Sequence, residues 1–162
     1  MANLKTILIA LDTSDEAEAV LEAATDIDPR VALDYRVITV VPPLMGGVSG
    51  VDGASFAATW PLRDMEESIV QEITKHVREQ VAAFGIAPER VAVRLGRPAD
   101  EIRLHAETVN ADLIVIGSHG RQGLSGVLLG STANGVLHDA PCDVLTVRVQ
   151  RAIGPGKSTK PD

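Results

Sequence analysis

The chain is expected to fold as an α/β protein: a single doubly wound, five-stranded parallel sheet with helices on both faces. Three features of its 162 residues lead there. Five short apolar runs rich in Val, Ile and Leu recur along the chain, four stretches of helical apolar spacing separate them, and Gly, Pro or Asp marks most junctions. Parallel strands need crossover helices, and those helices bury both faces of the sheet, so the strands read as unbroken apolar runs instead of alternating ones.

The first run, Leu4 to Leu11 (LKTILIAL), leads at once into Asp12-Thr13-Ser14-Asp15-Glu16, a helix-start signal in which Thr13 and Glu16 suggest a capping box. Ala17, Val20, Leu21, Ala24 and Ile27 then follow at helical spacing, and Pro29 closes that helix. Tyr35 to Val41 reads as a buried strand stopped by Pro42-Pro43, since proline cannot donate to a central ladder. Residues 42–62, crowded with glycine and proline and without a period, are expected to form a long loop.

Met65, Ile69, Ile73, Val77, Val81 and Phe84 mark the longest helix, with Gly85 as its stop. Val91 to Leu95 is a short strand running into Gly96-Arg97-Pro98. Ile102, Ala106 and Val109 define a third helix ending near Asn110. Leu113 to Gly117 is a fully apolar strand, and the helix after it should bury Ala133, Val136, Leu137 and Ala140 before Pro141. Asp143 to Val149 is the last strand. Residues 1–150 thus make one domain, and residues 151–162 read as a flexible, solvated tail.

Composition narrows the function classes. Hydrophobic residues make up 45% and charged residues 23%, which suits an ordinary globular core and argues against disorder. Aromatics are only 2%, so base-stacking platforms are lacking, and the formal net charge of −7 opposes a phosphate backbone at long range. No nucleic-acid partner is expected. The sole thiol, Cys142, cannot close an internal disulfide, the N-terminus lacks signal-peptide architecture, and no run approaches the roughly 18 apolar residues of a membrane span. A cytoplasmic protein with no membrane span is the expectation. Cys142, between Pro141 and an apolar strand, reads as a small core residue and not a reactive thiol.

The informative segment lies between the fourth strand and its helix: Gly117-Ser-His119-Gly120-Arg121, then Gly130-Ser131-Thr132. Glycines let the backbone approach a ligand, and Gly130 with two hydroxyl residues at a helix N-terminus makes a candidate phosphate cradle. Glycines after a strand often merely turn the chain, but a buried strand before and a capped helix after favour the cradle. No Lys stands beside Gly130, so this is not the lysine-bearing loop of fast NTPases. The first strand-to-helix turn holds no glycine, which argues against a dinucleotide. Open α/β sheets take ligands outside the carboxyl ends of their strands, and there the reading gathers Asp12, residues 40–42, residues 96–98 and residues 117–131.

The spacing G-x2-G-x9-G-[ST], filled by Gly117, Gly120, Gly130 and Ser131, resembles the nucleotide-binding signature of the universal stress protein family. The opening ILIALDTSDEAEAVLEAA, the strand RVITVVP, the turn Gly96-Arg97-Pro98 and the ending VLHDAPCDVLTVR resemble family blocks in the same order, over residues 4–149. The resemblance implies flavodoxin-like strand order 3-2-1-4-5 and membership of the ATP-binding subgroup. It implies that Asp12 sits beside the nucleoside, that Val40 or Val41 offers a main-chain contact to adenine, that Gly117 lies near ribose and base, and that Gly120, Gly130 and Ser131 contact phosphate. Thr132 extends the helix start, and Arg121, just after the second glycine, is a candidate to neutralise a phosphate. His119 lies in the same loop without a Ser, Cys or carboxylate partner at a catalytic spacing, so it is read as a loop residue of the cofactor site and not as a base.

Bland roles stand beside these. Asp12 and Ser131 are both residue types that cap helices, and either can cap and contact a ligand at once. The expectation is therefore an ATP-binding, nucleotide-dependent stress-response regulator that takes ATP with or without Mg²⁺, forms a homodimer, and acts on a regulatory protein partner. Slow ATP hydrolysis on the same fold, or an interaction module without nucleotide, are the alternatives.

Overall fold

The computed structural model describes residues 5–28, 30–44, 53–118 and 129–148, with the backbone alone for residues 53–60. The elements run β1 (Thr6–Leu11), α1 (Ala17–Thr25), β2 (Asp34–Val41), α2 (Gly53–Ala82), a 3₁₀ turn (Pro88–Arg90), β3 (Val91–Leu95), α3 (Pro98–Thr108), β4 (Leu113–Gly117), α4 (Ser131–His138) and β5 (Asp143–Val147). All pairings are parallel, in the order β3-β2-β1-β4-β5. The chain winds outward from β1 to one edge, returns, and winds to the other, so strand order reverses between β1 and β4.

The alternation of side chains along each strand splits the core into two layers. Ile7, Ile9, Leu11, Val37 and Val115 face α1 and α2, where Ala17, Val20, Leu21, Ala24, Val77 and Val81 pack against them. Leu8, Ala10, Ile38, Ile114 and Ile116 face α3 and α4 and meet Ile102, Ala106, Ala133 and Val136. Each face thus carries two helices, as a sheet of unbroken apolar strands requires.

At the amino edge of the sheet, the Asp112 carboxylate accepts the N–H groups of Lys5 (2.9 Å) and Thr6 (2.8 Å) and fastens the start of β1 to β4. Those two bonds hold its carboxyl below the ordinary carboxylate range. Asp34 accepts Arg90 at 2.8 Å and Arg36 at 3.0 Å, tying the entry to β3 onto β2. Asn110, at φ 50°, follows the end of α3, a left-handed position that Asn tolerates.

Several expectations need correction. The loop expected over residues 42–62 is cut short, because α2 begins at Gly53 and runs through Pro61. Apolar periodicity starts only at Met65, which hid this segment, and Pro61 reads as a breaker although Ala54, Ala57 and Ala58 are strong helix formers. Thr13 and Glu16 do not frame the start of α1, since Glu16 itself takes the N-cap position and the first turn begins at Ala17. Leu137 is 43% exposed, because α4 buries a narrow stripe of Ala133 and Val136. Strand β5 ends at Val147 instead of Val149. The tail, residues 151–162, lies outside the described residues.

Candidate functional site

The candidate site is assembled at the carboxyl edge of the sheet, across the ends of β2, β1 and β4. β1 ends at Leu11, paired with Thr39, and the chain turns at half-buried Asp12. Asp12 Oδ1 accepts the Ser14 N–H at 3.1 Å and a short hydrogen bond from the Ser14 hydroxyl. Ser14 Oγ accepts the Glu16 N–H at 3.3 Å, and the Ser14 carbonyl accepts the Ala17 N–H at 3.2 Å. Asp-x-Ser therefore folds as an Asx turn that delivers the chain into α1, which accounts for the polar pair between an apolar strand and an apolar helix face.

β4 ends at half-buried Gly117, paired with Val147. Ser118, 7% exposed, donates its N–H to the Val147 carbonyl at 2.8 Å, and its own carbonyl accepts the Gly130 N–H at 2.6 Å. Gly130 is thereby clipped against the end of β4 and occupies the N-cap of α4, with φ −58° and ψ 155°. Those dihedrals suit any residue, so the backbone itself does not demand glycine there. The first helical bond runs from the Asn134 N–H to the Gly130 carbonyl at 2.9 Å. The N–H groups of Ser131, Thr132 and Ala133 consequently lack intrahelical acceptors, and Gly130 carries no side chain to cap them. They form the partially positive end of α4, a polarity that favours an anion.

At the third corner, Val40 and Val41 are half-buried at the end of β2. The Val41 carbonyl accepts the Gly96 N–H at 3.1 Å, which secures the strand end to the Gly96-Arg97-Pro98 turn. The Leu44 N–H donates to Glu66 Oε1 at 2.8 Å and ties the chain after β2 to α2. The fold thus places Asp12, Val40, Val41, Gly117, Gly130, Ser131 and Thr132 along one edge. His119, Gly120 and Arg121 lie outside the described residues.

Two residues of this edge escape a reading by motif: Ser14, which orients Asp12, and Ser118, which receives Gly130. The Asp-x-Ser spacing is a recognisable Asx-turn signal, whereas Ser118 acts through its main chain and leaves no mark in the sequence. Cys142 is half-buried among residues of the α3/α4 layer, and burial, helped by Asp143, pushes its thiol upward, so it remains protonated and unreactive near neutral pH. Among the described residues no helix is long and apolar enough to cross a membrane.

The sequence model of the Universal stress protein family matches residues 3–148. The chain is 33% identical over 151 residues to universal stress protein A homolog 2 of Coxiella burnetii, covering 93% of this chain and 99% of that one. Among solved structures it resembles the hypothetical protein MJ0577, at a TM-score of 0.72 and 22% identity over 91% of this chain and 98% of the other. It also resembles a universal stress protein solved in complex with cAMP, at a TM-score of 0.55 and 23% identity over 90% of this chain and 97% of the other. Both structural likenesses are of fold.

Proposed function

The chain belongs to the universal stress protein family, and from that premise we propose that it binds ATP, with or without Mg²⁺, and acts as a nucleotide-dependent regulator in the stress response. The observation that carries this reading is the start of α4: three N–H groups without helical acceptors, preceded by a glycine whose dihedrals do not require glycine, at the same edge of the sheet as an oriented carboxylate. A side chain at position 130 would take space that a phosphate needs. A fold relative solved with cAMP adds that an adenine nucleotide can occupy a protein of this shape.

In this reading the phosphates rest on the amides and hydroxyls of Ser131 and Thr132, with Gly120 and Arg121 as further contacts. The nucleoside lies beside Asp12 and Gly117, and the base reaches the main chain at Val40 or Val41. His119 belongs to the same loop. Binding orders the site and changes the surface shown to a regulatory partner. In this reading the protein retains its nucleotide, with at most slow hydrolysis, and acts in the cytoplasm. Strand β5 is an open edge on which Leu145 is 40% exposed, and pairing of two such edges makes the homodimer. Calorimetric titration of nucleotide-free protein with ATP and Mg²⁺ should give saturable binding with one ATP per chain, and a flat titration would refute the reading. Sedimentation at micromolar concentration should give twice the 17.1 kDa chain mass, and a monomer would remove the dimer.

A further inference from the structure

We propose that the outward face of α2 is a docking surface for a second copy of this chain, which pairs antiparallel about a dyad at Gln71 and away from the β5 edge. The observation is a charge pattern that mirrors itself with its sign inverted. Asp64 and Glu67 precede Gln71 by seven and four residues, and Lys75 and Arg78 follow it by four and seven. All five side chains are exposed, whereas Ile73, Val77 and Val81 on the other side of the helix meet the core. The five fall on one stripe of the helix, about 21 Å from end to end. Among the described residues none of the four charged groups is in an ion pair, although Arg63 and Glu79 stand at i, i+4 spacing from Glu67 and Lys75. Two ordinary explanations of charge on a helix fail here. A solvated face interleaves acids and bases along its length, but on this stripe the signs are segregated. The helix dipole favours acids in the first turn and bases in the last, and α2 has neither, since Asp64 lies about three turns inside it.

A two-fold axis brings the same patch of both copies together, so the patch must complement itself. Antiparallel pairing about Gln71 sets Glu67 against Lys75 of the second copy and Asp64 against its Arg78, and the dyad repeats both pairs. Parallel pairing sets like charges together, and a slip of three residues sets Glu67 against Glu72. Glu67, Gln71 and Lys75 form an i±4 row, the kind of ridge that packs most commonly between helices. A shallow depression lined by Val70, Gln71, Thr74, Lys75, Arg78 and Glu79 lies along the same row, ready to receive side chains of the second copy. A chain with net charge −7 repels its own copy at long range, so a face for self-association has to be locally complementary. Helix α2 packs on β3, at the edge of the sheet opposite β5, so pairing through α2 leaves β5 free and joins β5 dimers two by two. Exposed ion pairs are individually weak and screened by salt, which confines this contact to high protein concentration and low ionic strength. It requires neither the nucleotide nor the β5 pairing.

The test is sedimentation equilibrium of the full chain up to submillimolar concentration, at about 0.01 M and about 1 M salt, between which the screening length falls from about 30 Å to about 3 Å. The wild type should reach twice the mass at low salt that it has at high salt. Glu67→Lys and Lys75→Glu each turn two attractive pairs into repulsive ones and should weaken this association by about tenfold or more. Glu67→Lys should do so even though it brings the net charge of −7 closer to zero, which by itself favours association. Both changes in one chain, or an equimolar mixture of the two single variants, should restore the doubling. Melting temperatures of all variants should match the wild type, because the side chains are exposed. A wild type that keeps the same mass at both salt concentrations would overturn the proposal, as would a doubling that both single variants retain or that neither the double variant nor the mixture recovers. The high-salt mass reads the β5 pairing by itself, so a single chain there removes the β5 dimer while the low-salt doubling still supports α2.

Discussion

Gly135 lies in the middle of α4, where helix propensity alone favours alanine by about 1 kcal/mol. The structure reverses that sign. A Cβ at position 135 would stand 2.8 Å from the Ala99 Cβ on α3, about 1 Å inside the optimal separation of two carbons. The atom it meets is the root of a side chain on a packed helix and not the tip of a flexible one, so α3 and α4 have to separate. Overpacking of this kind costs about 1–3 kcal/mol, which exceeds the propensity gain and leaves a net loss of about 1 kcal/mol. For a chain of 162 residues that lowers the melting temperature by about 2–4 °C. The displaced helix is the one whose first turn carries Ser131 and Thr132, so nucleotide affinity should fall with the stability. Thermal denaturation of Gly135→Ala followed by circular dichroism measures the first effect, and Ala99→Gly in the same chain should relieve part of it. A variant that melts higher than the wild type would refute the close packing of α3 on α4.

Three further outcomes follow from the same geometry. Gly130→Val should abolish ATP binding in calorimetry while the melting temperature changes little, because φ −58° and ψ 155° accept a β-branched residue without strain; wild-type affinity would contradict the phosphate cradle. Asp12→Ala should weaken ATP by about 10–100-fold, the effect of losing a hydrogen bond to a charged group, at a stability cost of about 1 kcal/mol from the lost Asx turn; a large fall in melting temperature with unchanged affinity would leave capping as its only role. His105 is held below the 6.5 of an unperturbed imidazole by burial first, then by Arg94 and Arg36. The unfolded chain therefore takes up this proton before the folded one does, and the stability present above pH 6.5 is lost as pH falls through the lower folded value. Urea unfolding of wild type and His105→Gln across this range should show a shallower acid-side decline in the variant, and parallel curves would place the decline elsewhere.

The strands were readable because each is a short apolar run, and the central β1 and β4 are buried on both faces, a pattern that survives without knowledge of the partners; β3 and β4 keep the bounds expected of them. Helix α2 was readable only from Met65 onward, where one face meets the core through Ile73, Val77 and Val81. Before that point the turn residues Gly53 and Pro61 outweighed a local preference expressed by alanines alone. Leu137 misled for the opposite reason: its spacing fits an apolar face, but α4 packs through small side chains close to α3 and leaves no room to bury it. At the site, Asp12 and Gly130 announce themselves by type and position. Ser14 hides as an ordinary cap residue, and the Ser118 carbonyl that receives Gly130 belongs to the main chain.

The most direct test of nucleotide retention is to release small molecules from freshly purified protein by heat and quantify them by chromatography after recording the ultraviolet spectrum. With one Trp and one Tyr the chain absorbs weakly at 280 nm, so a bound adenine displaces the spectrum visibly. Recovery of ATP approaching one per chain is the predicted result. Protein that releases no nucleotide, and takes up none when ATP and Mg²⁺ are supplied, would leave the fold intact and contradict the function.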